Sequence, residues 1–373
     1  LIVKAKRSEL TEALRGISKG LPTKTSFPIV EGILVEAKNG KLILTSNNLE
    51  VSIRAELDGI EVWDEGSLVL PVKLIEILKN LPEDEVEIST VSKNEGNVVE
   101  IKCGNAKFSL LSMPADEFPL LAPEGYQNEW NKIELLARDI KEIANLTLFA
   151  ISNNPVKEVF NGVLMETDGD GNIVCIASDA YRIARVEKTI EQTEPFQLIV
   201  PGKNLSALAK IIDYSDDIVT CYYSLFGIVF SCGKYTVCSR LIGGRYPDAT
   251  RQVLPANYLT KVTVEKDTLS GILSRSTILA LSGKPKAEFS VKNNVLSVTV
   301  QEDIGVFNEA VNVQYEGESL DSVIFNVRFL SELLNVIQDD QLEMEFNGAR
   351  GPCVVREERN DVKFSYLCLP IVA

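Results

Sequence analysis

The sequence contains no histidine. That absence removes Ser-His-Asp and Cys-His nucleophilic sites, His-ligated metals and the commonest general base. The seven cysteines (103, 175, 221, 232, 238, 353, 368) form no Cys-x-x-Cys pair, and their number is odd. Several lie inside apolar, strand-like runs such as NIVCIAS and YTVCSRL. Reduced, buried thiols of a cytosolic protein fit this pattern better than a disulfide framework. No uninterrupted apolar run reaches the roughly 18 residues of a membrane-spanning helix. The N-terminal LIVKAKRSEL has no long apolar run ahead of a small-residue cleavage site, so no secretory signal is expected. A G-x-x-x-x-G-K-[ST] loop is also missing. The nearest string, CGKYT (232–236), lacks the upstream glycine and has Tyr after the Gly-Lys pair.

What remains is a chain of 373 residues, 45% hydrophobic and 24% charged, with the balance of a soluble globular protein. Its length suggests two or three domains. A repeat selects three. VLPVKLIEILKNLP (69–82), IVPGKNLSALAKII (199–212) and IFNVRFLSELLNVI (324–337) each run from a strand end into an amphipathic helix. Aligned on Pro71, Pro201 and Asn326, each copy has a base two residues on: Lys73, Lys203 and Arg328. Apolar residues follow at helical spacing: Ile75, Leu78 and Leu81; Leu205, Leu208 and Ile211; Leu330, Leu333 and Val336. An acidic turn closes each copy: PEDE, SDD and QDD.

Each third also opens on an amphipathic helix, at 7–21, 138–152 and 266–281, with Leu10, Leu14, Ile17 and Leu21 tracing one face of the first. Alternating strands follow, with turns at KNG, DGDGN and KNN that suit left-handed hairpin positions. The thirds end on similar strands: AKFSLLSMP, YTVCSRLI and VKFSYLCLP. The expectation is an α+β module, two helices packed on antiparallel sheet, written three times over residues 1–125, 126–256 and 257–373. Polar, Pro-bearing links fall near 123–132 and 255–261.

The charge is uneven. The chain carries −15, but the six helical windows hold twelve Lys and Arg against eight Asp and Glu, a balance of +4 that leaves −19 elsewhere. Repeated helices with a mild positive bias on an acidic body could form one lining that holds phosphates loosely. Bases also commonly coat exposed helix faces, and both readings stay open on the residues alone. Two apparent sites are not sites. DGDGN (168–172) has Ile173 where a calcium loop needs Gly and Asp179 where it needs Glu, so a hairpin turn is expected. The pairs Asp216–Asp217 and Asp339–Asp340 occupy repeat-equivalent turns, as solvated carboxylates would, rather than an acid–base dyad. No metal site is expected.

Over residues 2 to 371 the sequence resembles the bacterial DNA polymerase III beta subunit family, the replicative sliding clamps. The motifs that carry the resemblance are FSLLSMPADEFPLL (108–121), SDAYRIA (178–184), SRLIGGRYPDA (239–249) and YLCLP (366–370), in family order. The resemblance implies three clamp domains per chain and a head-to-tail dimer forming a ring of six domains around duplex DNA. Helices line the hole and sheets face outward. It implies tethering of the replicative polymerase by topology, without catalysis or cofactor, in the cytoplasm. ATP use belongs to a separate clamp loader.

The resemblance also implies site residues. A pocket for short, mostly apolar peptides from polymerases, the loader and repair proteins would be walled by Phe160, Ser178, Ala180, Tyr181, Arg182, Ile183, Pro247, Val253, Leu367, Leu369, Pro370 and Ile371, with Arg182 offering donors to the peptide. Ala180 and Tyr181 replace the family's usual Gly-His, and LPIVA replaces its usual C-terminus. Ile183, Leu367 and Leu369 also read as ordinary core strand residues. DNA-facing positions are Lys24 and Asn154, with Lys73, Lys203, Lys210 and Arg275 added by repeat logic, all contacting phosphates rather than bases. The dimer contact would join Lys107, Phe108 and Leu110 to Ile278 and Leu279, with Glu302 and Asp303 as acidic partners. A hydrolase built on paired carboxylates and a clamp-like paralogue without a replicative role are the competing readings.

Overall fold

The computed structural model describes residues 1–373 except 94–95, 124, 192, 249, 251–253, 280–284, 360 and 372–373. Two compact units emerge, and neither coincides with one expected third. The first comprises Leu1–Lys141 with Lys203–Leu241, and the second Glu142–Gly202 with Ile242–Ala373.

In the first unit, a five-stranded antiparallel sheet runs in the order Glu61–Asp64, Ile2–Lys6, Glu85–Lys93, Gly96–Cys103, Ala106–Leu111. A nine-stranded sheet runs Met113–Pro114, Gly66–Pro71, Gly32–Lys38, Lys41–Asn47, Val51–Leu57, Tyr235–Arg240, Gly227–Cys232, Ile218–Tyr223, Asn131–Leu136. Its centre joins two repeats, since Val51–Leu57 pairs with Tyr235–Arg240 in the register Val51↔Ser239 to Ala55↔Tyr235.

The second unit repeats this plan. Its nine-stranded sheet runs Phe196–Pro201, Gly162–Thr167, Asn172–Ser178, Arg182–Thr189, Val362–Cys368, Cys353–Arg359, Gln341–Phe346, Thr260–Glu265, Gln314–Gly317. The central register is Arg182↔Cys368 to Lys188↔Val362. A four-stranded sheet, Gly305–Asn312, Val295–Glu302, Lys286–Lys292, Leu320–Asn326, completes it. The expected module, helices on antiparallel sheet, is present, and its sheets run across the repeats. Each repeat does not close its own sheet but lends four or five strands to a sheet shared with its neighbour. An unpaired strand edge left between repeats would be costly to leave exposed, and sharing removes it.

The helices follow the apolar spacing. Arg7–Ile17 buries Leu10, Ala13, Leu14 and Ile17, and a 3-10 turn, Ser18–Gly20, takes the place of its expected last turn. Ala137–Thr147 and Lys266–Ser276 end the same way, in Leu148–Ala150 and Thr277–Leu279. In the short helix Lys73–Lys79 the buried face is Leu74 and Leu78, with Ile75 only half-buried, one position off the face read from spacing. The acidic turns have a structural task. Backbone N–H groups at the first-helix starts, Arg7, Ala137 and Lys266, donate to the carbonyls of Asp84, Asp217 and Asp340 at 2.6, 2.9 and 2.8 Å. Each turn thus satisfies a donor that a helix start leaves unpaired.

All seven cysteines are free thiols, and all but the half-buried Cys232 are buried. Residues 168–171 form a hairpin turn with positive φ at Gly169 and Gly171. Among the described residues no helix is long and apolar enough to cross a membrane, and no group of three or more Cys, Asp or Glu side chains could hold a metal ion.

Candidate functional site

Strand alternation in the second unit sends Ile183 to one face of the nine-stranded sheet and Arg182 to the other. On the Ile183 face, Phe160, Leu164, Ile176, Ile199, Tyr246, Val354 and Leu367 form a buried apolar cluster with it, flanked by the partly buried Val159, Val174, Ile242 and Leu254. The Phe160 and Tyr246 rings meet edge to face with centroids 5.5 Å apart. Ile183 and Leu367, at 6% and 1% exposure, form the floor of this cluster.

A more accessible rim surrounds that floor. Tyr181 is 65% exposed and Leu369 38% exposed, while Pro247, Pro370 and Ile371 are half-buried. Hydrogen bonds fix the rim. The Leu369 N–H donates to the Tyr181 carbonyl at 2.9 Å, and the Ile371 N–H to the Ile324 carbonyl at 2.7 Å. The fully buried Ser178 hydroxyl donates to the Arg182 carbonyl at 2.8 Å, and the Ala180 N–H donates back to that hydroxyl at 3.1 Å. Asp179 accepts the Tyr181 and Arg182 amides at 3.0 and 3.1 Å. Ala180 itself sits in the left-handed region at φ 76°. Val253 lies outside the described residues.

Arg182 is a buried cation with partners within the chain. Its Nε donates to Asp179 at 3.0 Å, its Nη1 to Glu332 at 2.5 Å and its Nη2 to the Phe149 carbonyl. The guanidinium stands 4.3 Å from the Phe329 ring centroid and 5.6 Å from that of Phe149. Burial works to lower its pKa, but Tyr366, Glu332 and Asp179 together hold it above the ordinary value.

The first unit carries the same scaffold with a different floor. Ile176↔Arg185, Ile183↔Ser178 and Val354↔Leu367 in the second unit correspond to Thr45↔Arg54, Ser52↔Asn47 and Val229↔Cys238 in the first. Phe118 takes the place of Tyr246, packed with Leu34 and Val69. Beyond it the chain continues over Leu120, Leu121 and Tyr126 along a 460 Å³ groove. Thr45 and Ser52 are polar where the second unit has Ile176 and Ile183, and Cys238 is smaller than Leu367, so the first-unit floor offers less apolar surface. At about 25 cal/mol per Å² of apolar area, the second-unit floor favours an apolar peptide more than the first-unit floor does.

The candidate DNA-facing side chains Lys24, Lys73, Asn154, Lys203, Lys210 and Arg275 are all exposed. Three are already engaged. Lys73 pairs with Glu76 at 2.6 Å, and that hydrogen bond with its charge holds the Glu76 carboxyl below its ordinary pKa. Arg275 makes a two-pronged contact with Glu309 at 2.8 and 2.6 Å, which likewise depresses the Glu309 pKa. The Asn154 Oδ1 caps the Pro155–Asn161 turn by accepting the Val156 N–H at 2.9 Å. Lys210 lines a 520 Å³ cavity in the first unit that also gathers Arg15, Lys19 and Lys234, the last paired with Glu12 at 2.6 Å.

Candidate dimer residues fall on sheet edges. Lys107, Phe108 and Leu110 belong to Ala106–Leu111, the last strand of the five-stranded sheet, where Phe108 is 40% and Leu111 72% exposed. Lys107 pairs with Glu100 at 2.8 Å. Ile278 is 77% exposed and Leu279 half-buried beside the edge strand Gly305–Asn312, where Ile304 and Val306 are also exposed. Glu302 is half-buried and Asp303 exposed in that region.

Residue reasoning missed Tyr246, Val354, Ile242 and Leu254 in the apolar cluster, and Asp179 and Glu332 behind it. Tyr246 had a signal, since the aromatic-Pro pairs Phe118–Pro119 and Tyr246–Pro247 recur in the repeat. Glu332 had none, because its contact with Arg182 spans 150 residues.

Comparison with known proteins agrees with this architecture. The DNA polymerase III beta subunit models match in order, the N-terminal domain over residues 2–122, the central domain over 134–248 and the C-terminal domain over 251–372. The beta sliding clamp of Staphylococcus epidermidis is 32% identical over 98% of both chains. The sliding clamp of Bacillus subtilis superposes with a TM-score of 0.93 at 25% identity, covering 100% of this chain and 99% of the other. The Pseudomonas aeruginosa clamp bound to griselimycin gives 0.89 at 25% identity, covering 100% and 99%. Three family domains in order and a full-length relative show that this chain belongs to the DNA polymerase III beta subunit family, the bacterial sliding clamps, which are non-catalytic.

Proposed function

We propose that two copies of this chain close head to tail into a ring around duplex DNA, tether the replicative polymerase, and dock partner peptides in the apolar pocket of the second unit. One observation carries the ring. At both internal junctions, a strand of the type Tyr235–Arg240 or Val362–Cys368 pairs with one of the type Val51–Leu57 or Arg182–Thr189. The third members of the two types, Ala106–Leu111 and Gly305–Asn312, each stand at a sheet edge with exposed apolar side chains. A head and a tail of matching kind make a heterologous contact, which closes when the rotation permits. The three repeats, taken as domains 1–125, 126–256 and 257–373, would supply the inner helices, and phosphates would meet Lys24, Lys203 and Lys210 most directly.

Griselimycin, bound by the Pseudomonas relative, is the natural probe of the pocket here. Its occupancy would compete with short apolar peptides from polymerases, the clamp loader and repair proteins. Duplex DNA as the partner puts the work of the protein in the cytoplasm. Light scattering over a dilution series tests the ring first. A mass near twice 41.1 kDa is expected, and a persistent 41.1 kDa species would remove the topological mechanism.

A further inference from the structure

Glu332 is shared by two arginines. Its Oε1 accepts from Arg328 Nε at 2.7 Å, and its Oε2 accepts from Arg182 Nη1 at 2.5 Å. Arg328 is solvent-exposed, with 69% of its side chain accessible, and is the third copy of the base that the repeat writes as Lys73 and Lys203. Arg182 passes the connection on to Asp179, which fixes the rim loop through the Tyr181 and Arg182 amides. Tyr181 in turn holds Leu369. An unbroken chain of charged hydrogen bonds thus runs from an exposed base on helix Val327–Leu334 to the pocket rim.

The first unit has the same path without the charges. Val51 stands in the place of Arg182 and Ala207 in that of Glu332. There Asn204 Nδ2 makes a neutral link, donating to the Glu50 carbonyl at 3.3 Å and to Ser239 Oγ at 2.8 Å. A neutral link is therefore sufficient to hold this junction together. Buried ion pairs are costly to desolvate and often no more stabilising than neutral packing. The costly version occurs at the junction that has the more apolar floor.

We propose that Glu332 is a positioning residue for the pocket rim, and that its division between Arg328 and Arg182 couples the pocket to a polyanion bound at Arg328. This rests on the reading of the inner helices as DNA-facing and of the apolar cluster as the docking pocket. When a phosphate draws Arg328 away, the Glu332 carboxylate answers to Arg182 alone. The guanidinium is then held more firmly between Phe149, Phe329 and Asp179, and the rim loop with it. A preorganised rim binds its ligand more tightly. By linkage, the ligand favours polyanion binding to the same degree.

The test is griselimycin affinity of the full-length protein at low salt, with and without a short blunt DNA duplex, in wild type, Arg328→Ala and Glu332→Gln. Tightening by about fivefold with duplex is expected in wild type, the low end of ordinary coupling between sites. Arg328→Ala should bind as tightly as duplex-loaded wild type and ignore the duplex. Glu332→Gln should bind more weakly and also ignore it. The opposite signs distinguish coupling from damage to the fold, which would weaken both variants. Wild type that binds griselimycin with no response to duplex, or an Arg328→Ala affinity equal to unloaded wild type, overturns the coupling alone. Wild type that does not bind griselimycin overturns the pocket and the coupling together.

Discussion

Ala180 and Leu49 occupy the same position in successive repeats, and both hold a left-handed backbone, at φ 76° and 74°. Each ends a loop that leads into a junction strand, Arg182–Thr189 or Val51–Leu57. The turn geometry is therefore set by the junction, and the side chain tolerates it. A β-branched residue tolerates it least, because its Cβ substituents crowd the flanking carbonyl. Ala180→Val is expected to destabilise by about 1–2 kcal/mol and to weaken griselimycin binding by moving Tyr181. Ala180→Gly should stay within about 0.5 kcal/mol of wild type, since relief of strain is offset by a floppier unfolded chain. Urea melts of the two variants give the comparison, and a valine variant as stable as wild type would show that the loop relaxes freely.

Leu367 and Leu369 lie two residues apart on the same face of the chain and differ in exposure, 1% against 38%. Floor and rim should separate cleanly in mutants. Leu367→Ala removes buried aliphatic carbon and should cost about 2–4 kcal/mol of stability. Leu369→Asp should cost under about 1 kcal/mol, yet reduce griselimycin affinity at least about tenfold, equivalent to about 1.4 kcal/mol. Calorimetric titration alongside thermal melts reads both effects. Undiminished affinity in Leu369→Asp would move the binding site away from this rim.

The parts of this arrangement visible in the sequence are those written locally. Helical spacing located Leu10, Leu14 and Ile17, and the repeated Pro71, Pro201 and Asn326 marked where strands end and helices begin. What spacing could not convey was the sharing of sheets. The pairing of Val186 with Phe364 depends on which edges meet, and nothing near either residue states it. The same limit hid the fate of Arg182. A base beside an apolar run gives no sign that Glu332 and Phe149 arrive from distant segments to accept from it. Ile75 against Leu74 shows the smaller error, since a seven-residue helix is too short for periodicity to choose between adjacent faces.

Phe108 on one edge strand and Ile278 beside the other provide the test of the head-to-tail contact. Both are exposed in the single chain, so a charge at either position costs the monomer little. Buried against a partner copy, an unpaired carboxylate would be expensive. Phe108→Asp and Ile278→Asp are each expected to shift the mass from twice 41.1 kDa toward 41.1 kDa, with melting of the isolated chain nearly unchanged. Equimolar mixing of the two variants should not restore a closed ring, because each closed ring needs two head-to-tail contacts. Dimers that survive both substitutions would place the interface on other surfaces.

Asp84 offers a pH-dependent test of the repeated helix start. Its carboxylate accepts the Ser8 amide at 2.9 Å and the Ser8 hydroxyl at 3.1 Å. These bonds, the amide first, hold its pKa below the ordinary carboxylate value. The unfolded chain therefore takes up this proton at higher pH than the folded one. The stabilisation is complete above the unfolded pKa, near about 4, and is lost as pH falls through the lower folded value. In Asp84→Asn the acceptor oxygen stays and the charge goes. The urea midpoint of wild type should exceed that of the variant at pH near about 6, and the difference should shrink as the pH drops below about 4. Other titrating groups contribute equally to both proteins and cancel in the comparison. A difference that stays constant across this range would mean that Asp84 acts through its shape and backbone carbonyl, and that its charge contributes nothing to holding Arg7–Ile17.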